Sequence, residues 1–401
     1  MAEETAYFYH NVNEWLDVSS SSDVVRVEKL LRLMELRRDD EALIEARDAV
    51  RDSQSTDPVL MALMGVCLTI RQSTDLAEQA FDRASILLDF EMSYLSTIFG
   101  VDPRLYRVLK TIQASVHYML GRVRWNLSDY EKSIEALERA SEIDSSVPEL
   151  FEWLARSNDR IGEVDEFLSH WETALRIDPN LTDRYVWPIY CVGMRIQDEH
   201  PVRDRLEDEM RYIESKTSVL HDVDTLGGFI ERLRNLECDR DFIKNRNTMI
   251  RESIAQNSKY TWTNFAYGQV FFQGFHRAFT RPRLYDALLE SRMLGLDFVS
   301  LGSNVGTESL MAATAFGVNV VGYDLMCEFV EIAEKTRREL NIENARFVCE
   351  DALLADVDNA AVVFIDNQAW DESLMNSMWR QLEKKLPTNA LVFEYVMCVR
   401  I

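Results

Sequence analysis

Glycine and proline are scarce in this chain, with 14 glycines and 8 prolines among 401 residues. All-β proteins need both residue types for their many turns, so the shortage favours a helix-rich fold. No apolar run approaches the ~20 residues that would span a bilayer, and no membrane partner is expected. The first residues also lack the basic and apolar regions of a secretory signal peptide. We therefore expect a soluble intracellular protein of the cytoplasm, although these features do not separate cytoplasm from nucleus.

Cysteine is sparse as well, and no two cysteines form a CxxC pair. Zinc sites and the disulfide frameworks of small secreted domains both depend on regular cysteine spacings. The sequence therefore predicts neither a metal site nor a disulfide framework, and a reduced protein is expected. The six cysteines are Cys67, Cys191, Cys238, Cys327, Cys349 and Cys398.

Positive charge is in deficit, with 44 basic against 68 acidic side chains and a formal net charge of −24. A surface this acidic repels phosphate backbones, so no nucleic-acid partner is expected. Hydrophobic residues make up 47% of the chain, which is enough to build substantial cores. A chain of this length is predicted to form two or three compact units.

A 34-residue period runs through the first half of the chain. Leu120 and Leu154 are separated by this distance, and so are Ala140 and Ala174. The period and its pattern of small and bulky residues resemble the tetratricopeptide repeat, a helix–turn–helix unit. The alternative is a generic α-solenoid, because any array of amphipathic helical hairpins places alanine and leucine at such spacings. Either array has a face suited to a peptide or protein partner.

Small residues and bulky residues alternate at matching offsets within each unit. Gly65 and Gly121 are predicted to let the first helix approach the second, and Phe81 and Leu137 to fill the remaining groove. The step between the two glycines is 56 residues, which is 22 more than one period. The extra residues lie around positions 90–107 and are expected to form either a long loop or an additional helix.

Strand and helix patterns alternate from Asp297 onward, which predicts a parallel sheet joined by right-handed crossovers. The predicted organisation is a tetratricopeptide-like repeat domain over 1–200, a helical linker over 201–260 and a Rossmann-like α/β domain over 261–401. The fold class is therefore α + α/β. Ligands of parallel sheets lie at the carboxyl ends of the strands. Chemistry is accordingly expected after Leu301, Tyr323, Cys349 and Ile365.

Each of these predicted strand ends carries a turn or a polar side chain. A glycine turn lets the backbone approach a ligand at a helix N-terminus. Asp324 at the second strand end is placed for ribose hydroxyls, and Asp351 at the third could accept from an adenine amino group. The turn after the first strand comprises Gly302, Ser303, Asn304 and Gly306, and the fourth strand is followed by Asp366, Asn367 and Trp370.

Residues 298–307 (FVSLGSNVGT) resemble motif I of the class I S-adenosylmethionine-dependent methyltransferases. Within that family, this turn, residues 362–370 and residues 267–269 are similar to segments of the non-SET histone-lysine methyltransferases of the telomeric-silencing type. The chain departs from the pattern at Ser300, where the family has an acidic residue, and at Asn304, where it has glycine. Asp366 replaces the first of two family asparagines. The chain stops at Ile401, where the family adds an antiparallel hairpin, so a short sheet or a truncated chain is expected.

The resemblance implies S-adenosylmethionine as the cofactor and a protein side chain as the methyl acceptor. It implies contacts to the amino-acid end of the cofactor from Ser300 and the glycine turn, with Asp324 on the ribose and Asp351 on the adenine. The acceptor channel would be lined by Asp366, Asn367, Trp370 and Tyr267. Asp366 has an alternative role as a cap of the helix predicted to begin at Asp371.

Two other functions remain open on the sequence. One is an interaction scaffold whose methyltransferase-like domain is degenerate, and the other is a small-molecule methyltransferase. The sequence does not define the oligomeric state.

Overall fold

The computed structural model describes residues 6–19, 23–53, 56–98, 102–183, 186–193, 195, 200–216, 232, 235, 238–257, 259–260, 272–366 and 370–394. The chain divides into two compact units between Asp178 and Pro179. The sequence-based boundaries were 200 and 260, with a separate linker between them. In the structure the described residues of 179–260 belong to the second unit, because their helices share its core.

The first unit is built from helices that pack on their sequence neighbours. Three helices begin with proline, at Pro58, Pro103 and Pro148, where its fixed φ suits the first helical turn. The carboxylates of Asp57 and Asp102 cap the first two of these helices. The helices are α1 (Ala6–Val18), α2 (Val24–Glu35), α3 (Asp39–Asp52), α4 (Pro58–Ile70), α5 (Thr74–Thr97), α6 (Pro103–Asn126), α7 (Tyr130–Ile143), α8 (Pro148–Ile161) and α9 (Val164–Ile177).

Two glycines set the close approach of paired helices, as the size pattern predicted. A Cβ added at Gly65 would lie 2.9 Å from the Phe81 ring, and one added at Gly121 would lie 2.6 Å from Leu137 Cγ. Phe81 and Leu137 are both fully buried. The helix pairs α4–α5 and α6–α7 are therefore hairpins closed by a small residue against a bulky one.

Most of the extra residues form neither a long loop nor an additional helix among the residues that the structure describes, so both expectations were wrong there. They are absorbed into α5 and α6, which have 24 residues each, whereas α7, α8 and α9 have 14. The added turns remain helical because they carry a buried apolar face, with Leu88 and Met92 on α5 and Val108 and Ile112 on α6.

The second unit begins with helical segments and continues into the sheet. Among the described helices, none is both long and apolar enough to cross a membrane. The segments before the sheet are a 3₁₀ turn (Pro179–Asp183), α10 (Val186–Gly193), α11 (Pro201–Lys216), α12 (Arg240–Gln256), α13 (Phe272–Phe279) and α14 (Pro282–Leu294).

Five parallel strands form one sheet in the order β3-β2-β1-β4-β5, which confirms the predicted fold class. The strand order reverses between β1 and β4, because the chain runs outward from β1 to β3 and then returns to the other side. The elements are β1 (Asp297–Leu301), α15 (Thr307–Phe316), β2 (Asn319–Asp324), α16 (Cys327–Glu339), β3 (Ala345–Cys349), β4 (Ala360–Ile365), α17 (Glu372–Lys385) and β5 (Leu391–Glu394).

Both faces of the sheet are covered, which explains why its strands read as nearly continuous apolar runs. Phe298 and Phe364 lie in one core, together with apolar side chains of α13, α14 and α15. Val299 and Leu301 lie in a second core on the opposite face, with side chains of α17. Successive side chains of each strand point to opposite faces of the sheet, so alternate residues pack into two separate cores.

Cys327 and Cys349 are joined by a disulfide, with their Cα atoms 4.9 Å apart. The expectation of no disulfide was therefore wrong at this pair. The two residues are 22 positions apart, a spacing that signals nothing along the chain. They meet because α16 begins after β2, and β3 ends beside β2 in the parallel sheet.

Candidate cofactor site

The strand order reverses between β1 and β4, and in parallel sheets the carboxyl ends of the strands at such a reversal are where ligands bind. The last residues of these strands, Leu301 and Ile365, are register partners. The segments that follow them therefore start side by side, and the Asp366 N–H donates to the Leu301 carbonyl at 3.0 Å. The residues that sequence patterns placed after these strands are thus brought to one edge of the sheet.

The turn after β1 contains three residues in the left-handed region. The φ angles are +78° at Gly302, +48° at Asn304 and +86° at Gly306. Glycine adopts such angles freely, and asparagine tolerates them better than most residues. The N–H groups of Gly302 and Ser303 both donate to the Tyr323 carbonyl at 2.9 Å, which anchors the turn to β2. The turn ends where α15 begins.

Two glycines of this turn admit no side chain. A Cβ at Gly302 would lie 3.1 Å from the Asp366 carbonyl oxygen and 3.2 Å from the Trp370 ring. A Cβ at Gly306 would lie 2.7 Å from the Phe347 ring. The first glycine therefore lets the turn approach the segment after β4, and the second lets α15 pack against β3.

Asn304 connects the ends of three strands. Its backbone N–H donates to Asp324 Oδ2 at 2.8 Å, at the end of β2. Its side-chain Nδ2 donates to Asp366 Oδ2 at 3.1 Å, after β4. The residue that departs from the family glycine thus ties both candidate acids to the turn after β1.

Asp324 is a buried carboxylate with only 8% of its surface exposed. Burial raises its pKa to about 6, although hydrogen bonds from the N–H groups of Met326, Asn304 and Leu325 oppose this shift. None of these contacts comes from a cation. These three donors leave roughly one of the carboxylate's four acceptor positions open, so the group can still accept from a neutral donor such as a hydroxyl.

Asp366 and Trp370 lie next to Gly302, because both would contact a Cβ at that position. Asp366 is 8% exposed, and the Trp370 ring packs at the edge of the core formed by Val299 and Leu301. The alternative role of Asp366 as a helix cap is wrong. The cap of α17 is Asp371, whose Oδ1 accepts from the Leu374 N–H at 2.8 Å.

Asp351 lies beyond β3 and is held by two residues about 90 positions earlier in the chain. Lys259 Nζ donates to its Oδ2 at 2.5 Å, and the Tyr260 hydroxyl donates to both oxygens at 2.8 Å. Burial alone would raise the pKa of Asp351, but the hydrogen bonds from Lys259, Leu353 and Tyr260 lower it overall. Asp351 is thus ionised and fixed at the outer end of the candidate site.

Helix α12 packs over the glycine turn, a contact that the sequence did not reveal. Phe242 and Ile250 of α12 share a small core with Val305 of the turn and with Met326 and Phe329 after β2. The segment was interpreted as a linker. Its apolar residues at helical spacing were the available signal of this packing, because an exposed linker helix does not need an apolar face.

The remaining predicted site residues fall into two groups. Ser300 and Ser303 are buried, at 1% and 2% exposure, and Ser303 Oγ has no hydrogen-bond partner among the described residues. Ser300 lies within β1 rather than at its end. The predicted site residues Tyr267 and Asn367 lie outside the described residues.

The fold and site define a two-unit protein, a helical-repeat array followed by a parallel-sheet α/β unit with a crevice at the reversal of strand order. Within the described part of the chain, no group of three or more His, Cys, Asp or Glu residues could hold a metal ion.

Comparison with known proteins identifies one segment of the first unit. Residues 114–146 match the family model of the tetratricopeptide repeat, so a repeat of this family is present in α6 and α7. Among solved structures, the chain is similar to an RNA methyltransferase from Salinibacter ruber in complex with S-adenosyl-L-homocysteine. The identity is 24% and the TM-score 0.24, over 29% of this chain and 75% of that one. No curated protein matches the chain.

Proposed function

We propose that the second unit binds S-adenosylmethionine and transfers its methyl group to a protein side chain, which the first unit helps to recruit. The observation that carries this proposal is the convergence of Gly302, Asn304, Asp324 and Asp366 where the strand order reverses. The likeness of residues 298–307 to methyltransferase motif I supports it.

The donor set of the crevice fits this cofactor. Asp324 is buried and bound only by neutral N–H donors, so a ribose hydroxyl can complete its hydrogen bonding without a cation. Asp351 is assigned to the adenine end. The turn at Gly302, Ser303 and Gly306 is assigned to the amino-acid end of the cofactor on the family resemblance. The positive end of the α15 dipole, beside this turn, suits the carboxylate of that end.

The bound cofactor supplies an electrophilic methyl group, and the protein supplies alignment and exclusion of water. Asp366 is placed to orient an amine acceptor through its carboxylate and to take its proton. Trp370 packs beside Gly302 and forms an apolar wall next to this carboxylate. Asn367 and Tyr267 are assigned to the same acceptor channel on the family resemblance.

Lysine is the first acceptor to test, since the resemblance is to lysine methyltransferases. A nucleosomal substrate is not proposed, because a chain of net charge −24 offers no counterpart to a basic DNA-facing segment. We assign the protein or peptide partner to the tetratricopeptide repeats of the first unit.

Isothermal titration of the full chain with S-adenosylmethionine and S-adenosylhomocysteine tests cofactor binding. We expect both to bind, and Asp324→Asn to weaken both because the amide loses the negative charge and replaces one accepting oxygen with an NH2 donor. Asp286→Asn, at an exposed site on α14, is the matched control and should leave affinity unchanged. Absence of binding to the wild-type chain would refute the enzymatic function.

Tritiated methyl transfer into fractionated lysate then separates the acceptor classes. Label in protein supports the proposal, whereas label confined to small molecules favours the small-molecule alternative. The scaffold alternative is favoured by one observation, the Asn304 side chain engaged with Asp366 at 3.1 Å. It predicts that no cofactor binds and that partner binding by the first unit is unaffected by Asp324→Asn.

A further inference from the structure

The Cys327–Cys349 disulfide lies at the outer rim of the candidate cofactor site. Cys349 is the register partner of Asp324 on the neighbouring strand, and Cys327 follows Asp324 by three residues. Asp351 follows Cys349 by two residues. The bridge therefore joins the two loops that carry the acids assigned to ribose and adenine.

Backbone hydrogen bonds hold the same two loops independently of the bridge. The Glu350 N–H donates to the Asp324 carbonyl at 3.0 Å, and the Met326 N–H donates to Asp324 Oδ1 at 2.8 Å. The strands β2 and β3 are paired along their length. Opening the disulfide should therefore leave the sheet intact and loosen only its rim.

Among the cysteines that the structure describes, the two bridged ones are the most exposed. Both are exposed to solvent, whereas Cys67 and Cys191 are buried. Burial raises the pKa of the Cys67 thiol to about 12, so this thiol is protonated and unreactive at neutral pH. Cys238 is partly exposed but unpaired, which makes it a suitable control. Small redox reagents can thus reach the Cys327–Cys349 pair selectively.

We propose that Cys327 and Cys349 form a reversible thiol–disulfide site that controls cofactor affinity, an inference that rests on the proposed function of the crevice. The reagents are a small-molecule disulfide as oxidant and a small-molecule thiol as reductant. In oxidation, one protein thiolate attacks the small disulfide, forming a mixed disulfide and releasing one thiolate. The second protein thiolate then attacks the protein sulfur of the mixed disulfide and releases the other. Two protein thiols are oxidised, and one small disulfide is reduced to two thiols that take up the two protons.

The bridged form is the one that binds cofactor more tightly. It fixes Asp324 and Asp351 in their present positions, and a site ordered in advance loses less entropy when ligand binds. Coupling between linked sites commonly changes affinity by about fivefold or more. By the same linkage, bound cofactor must favour the oxidised form to an equal extent.

The first measurement is the redox state of each cysteine. The full chain is equilibrated with mixtures of oxidised and reduced glutathione, alkylated, digested and analysed by mass spectrometry. We expect an intramolecular Cys327–Cys349 bridge whose oxidised fraction rises in the presence of S-adenosylhomocysteine, while Cys238 stays unaffected. Failure of the bridge to form under any mixture would overturn the proposal.

The second measurement is the affinity for S-adenosylhomocysteine of the oxidised chain and of the chain kept in phosphine reductant. We expect affinity to fall about fivefold or more on reduction. Cys327→Ser and Cys349→Ser should bind as the reduced wild type does and show no redox response, whereas Cys238→Ser should keep the full response. Thermal unfolding of the reduced wild type checks that the fold persists.

The outcomes separate the two proposals. Equal affinity in both redox states overturns the redox control and leaves the proposed cofactor site standing. If a bridge forms but no S-adenosylhomocysteine binds in either state, the proposed function fails and control of cofactor affinity fails with it.

Discussion

Asn304 Nδ2 donates a hydrogen bond to Asp366 Oδ2 at 3.1 Å, across the point where the strand order of the sheet reverses. The two residues are 62 positions apart, and the contact joins the turn after β1 to the segment after β4. Asn304 makes it from a left-handed backbone conformation, with φ at +48°. Its side chain therefore makes a contact that a glycine at this position could not.

This relationship predicts unequal destabilisation by two substitutions at Asn304. Asn304→Ala loses the hydrogen bond and places Cβ in a disfavoured conformation, which should destabilise the second unit by about 2 kcal/mol. Asn304→Gly loses the same bond but suits the left-handed angle, so its cost should be about 1 kcal/mol or less. Calorimetric unfolding of the full chain measures both. Equal destabilisation by the two variants would contradict the backbone argument.

Gly306 is predicted to be intolerant of any side chain. Gly306→Ala combines a positive φ with a Cβ only 2.7 Å from the Phe347 ring, and we expect a loss of about 2–4 kcal/mol. Gly295→Ala is the matched control, because Gly295 has φ +69° and nothing within 4 Å of the added Cβ. It should cost only the backbone strain, about 1–2 kcal/mol. Thermal unfolding measures both variants. A loss of stability in Gly295→Ala equal to or larger than that in Gly306→Ala would refute the packing explanation.

Asp324 should give the second unit a distinctive pH dependence. Its pKa is raised from the usual 3.8 to about 6, so between these values the folded state binds a proton that the unfolded state does not. This group therefore lowers stability as pH rises from about 4 to 6, by at most about 3 kcal/mol, and contributes no further change above that range. Other carboxylates titrate in the same window. The free energy of unfolding is thus compared with that of Asp324→Asn, and their difference should vary with pH.

The same group should make cofactor binding depend on pH. The proposed ribose contacts require the ionised carboxylate, so affinity for S-adenosylhomocysteine should fall as pH drops below about 6, approaching tenfold per unit. Titration calorimetry from pH 5 to 8 measures this slope. In Asp324→Asn the slope should be lost, and a wild-type affinity independent of pH would argue against the ribose assignment.

In the first unit, Gly121 and Leu137 should be energetically coupled. Gly121→Ala places a Cβ 2.6 Å from Leu137 Cγ, and overpacking of this kind costs about 1–3 kcal/mol. In a Leu137→Ala background the space is open, and the same change should be neutral or stabilising, because alanine is the better helix former. A double-mutant cycle on thermal stability measures the coupling. If the two substitutions change stability additively, the contact between residue 121 and Leu137 does not cause the destabilisation by Gly121→Ala.

Local signals sufficed to predict most of the fold. The strands ended near the predicted residues because each apolar run is followed by a turn or a helix signal, as at Gly302 after β1. The repeat pairs were visible because glycine and its bulky partner recur at a fixed offset, as with Gly65 and Phe81. Such patterns depend on neighbours within one or two elements of the chain.

The contacts that sequence reasoning missed join residues far apart in the chain. Tyr260 reaches Asp351 across 91 positions, and Cys327 reaches Cys349 only through the pairing of β2 with β3. Helix α12 was interpreted as a linker because its partner, the turn at Val305, lies in another region of the sequence. No sequence spacing indicates these contacts, because they form only when the strands pair in the sheet.

The lengthened hairpin of α5 and α6 has a consequence for engineering. Both helices have 24 residues, 10 more than the 14 of their repeat neighbours, and the added turns pack on each other. Asn11 of α1 donates to Ser115 Oγ at 2.7 Å, so α1 attaches to the α6 side of this hairpin. Residues could therefore be removed only in matched helical turns from both helices, and trimming either helix alone would strip the apolar cover from the other.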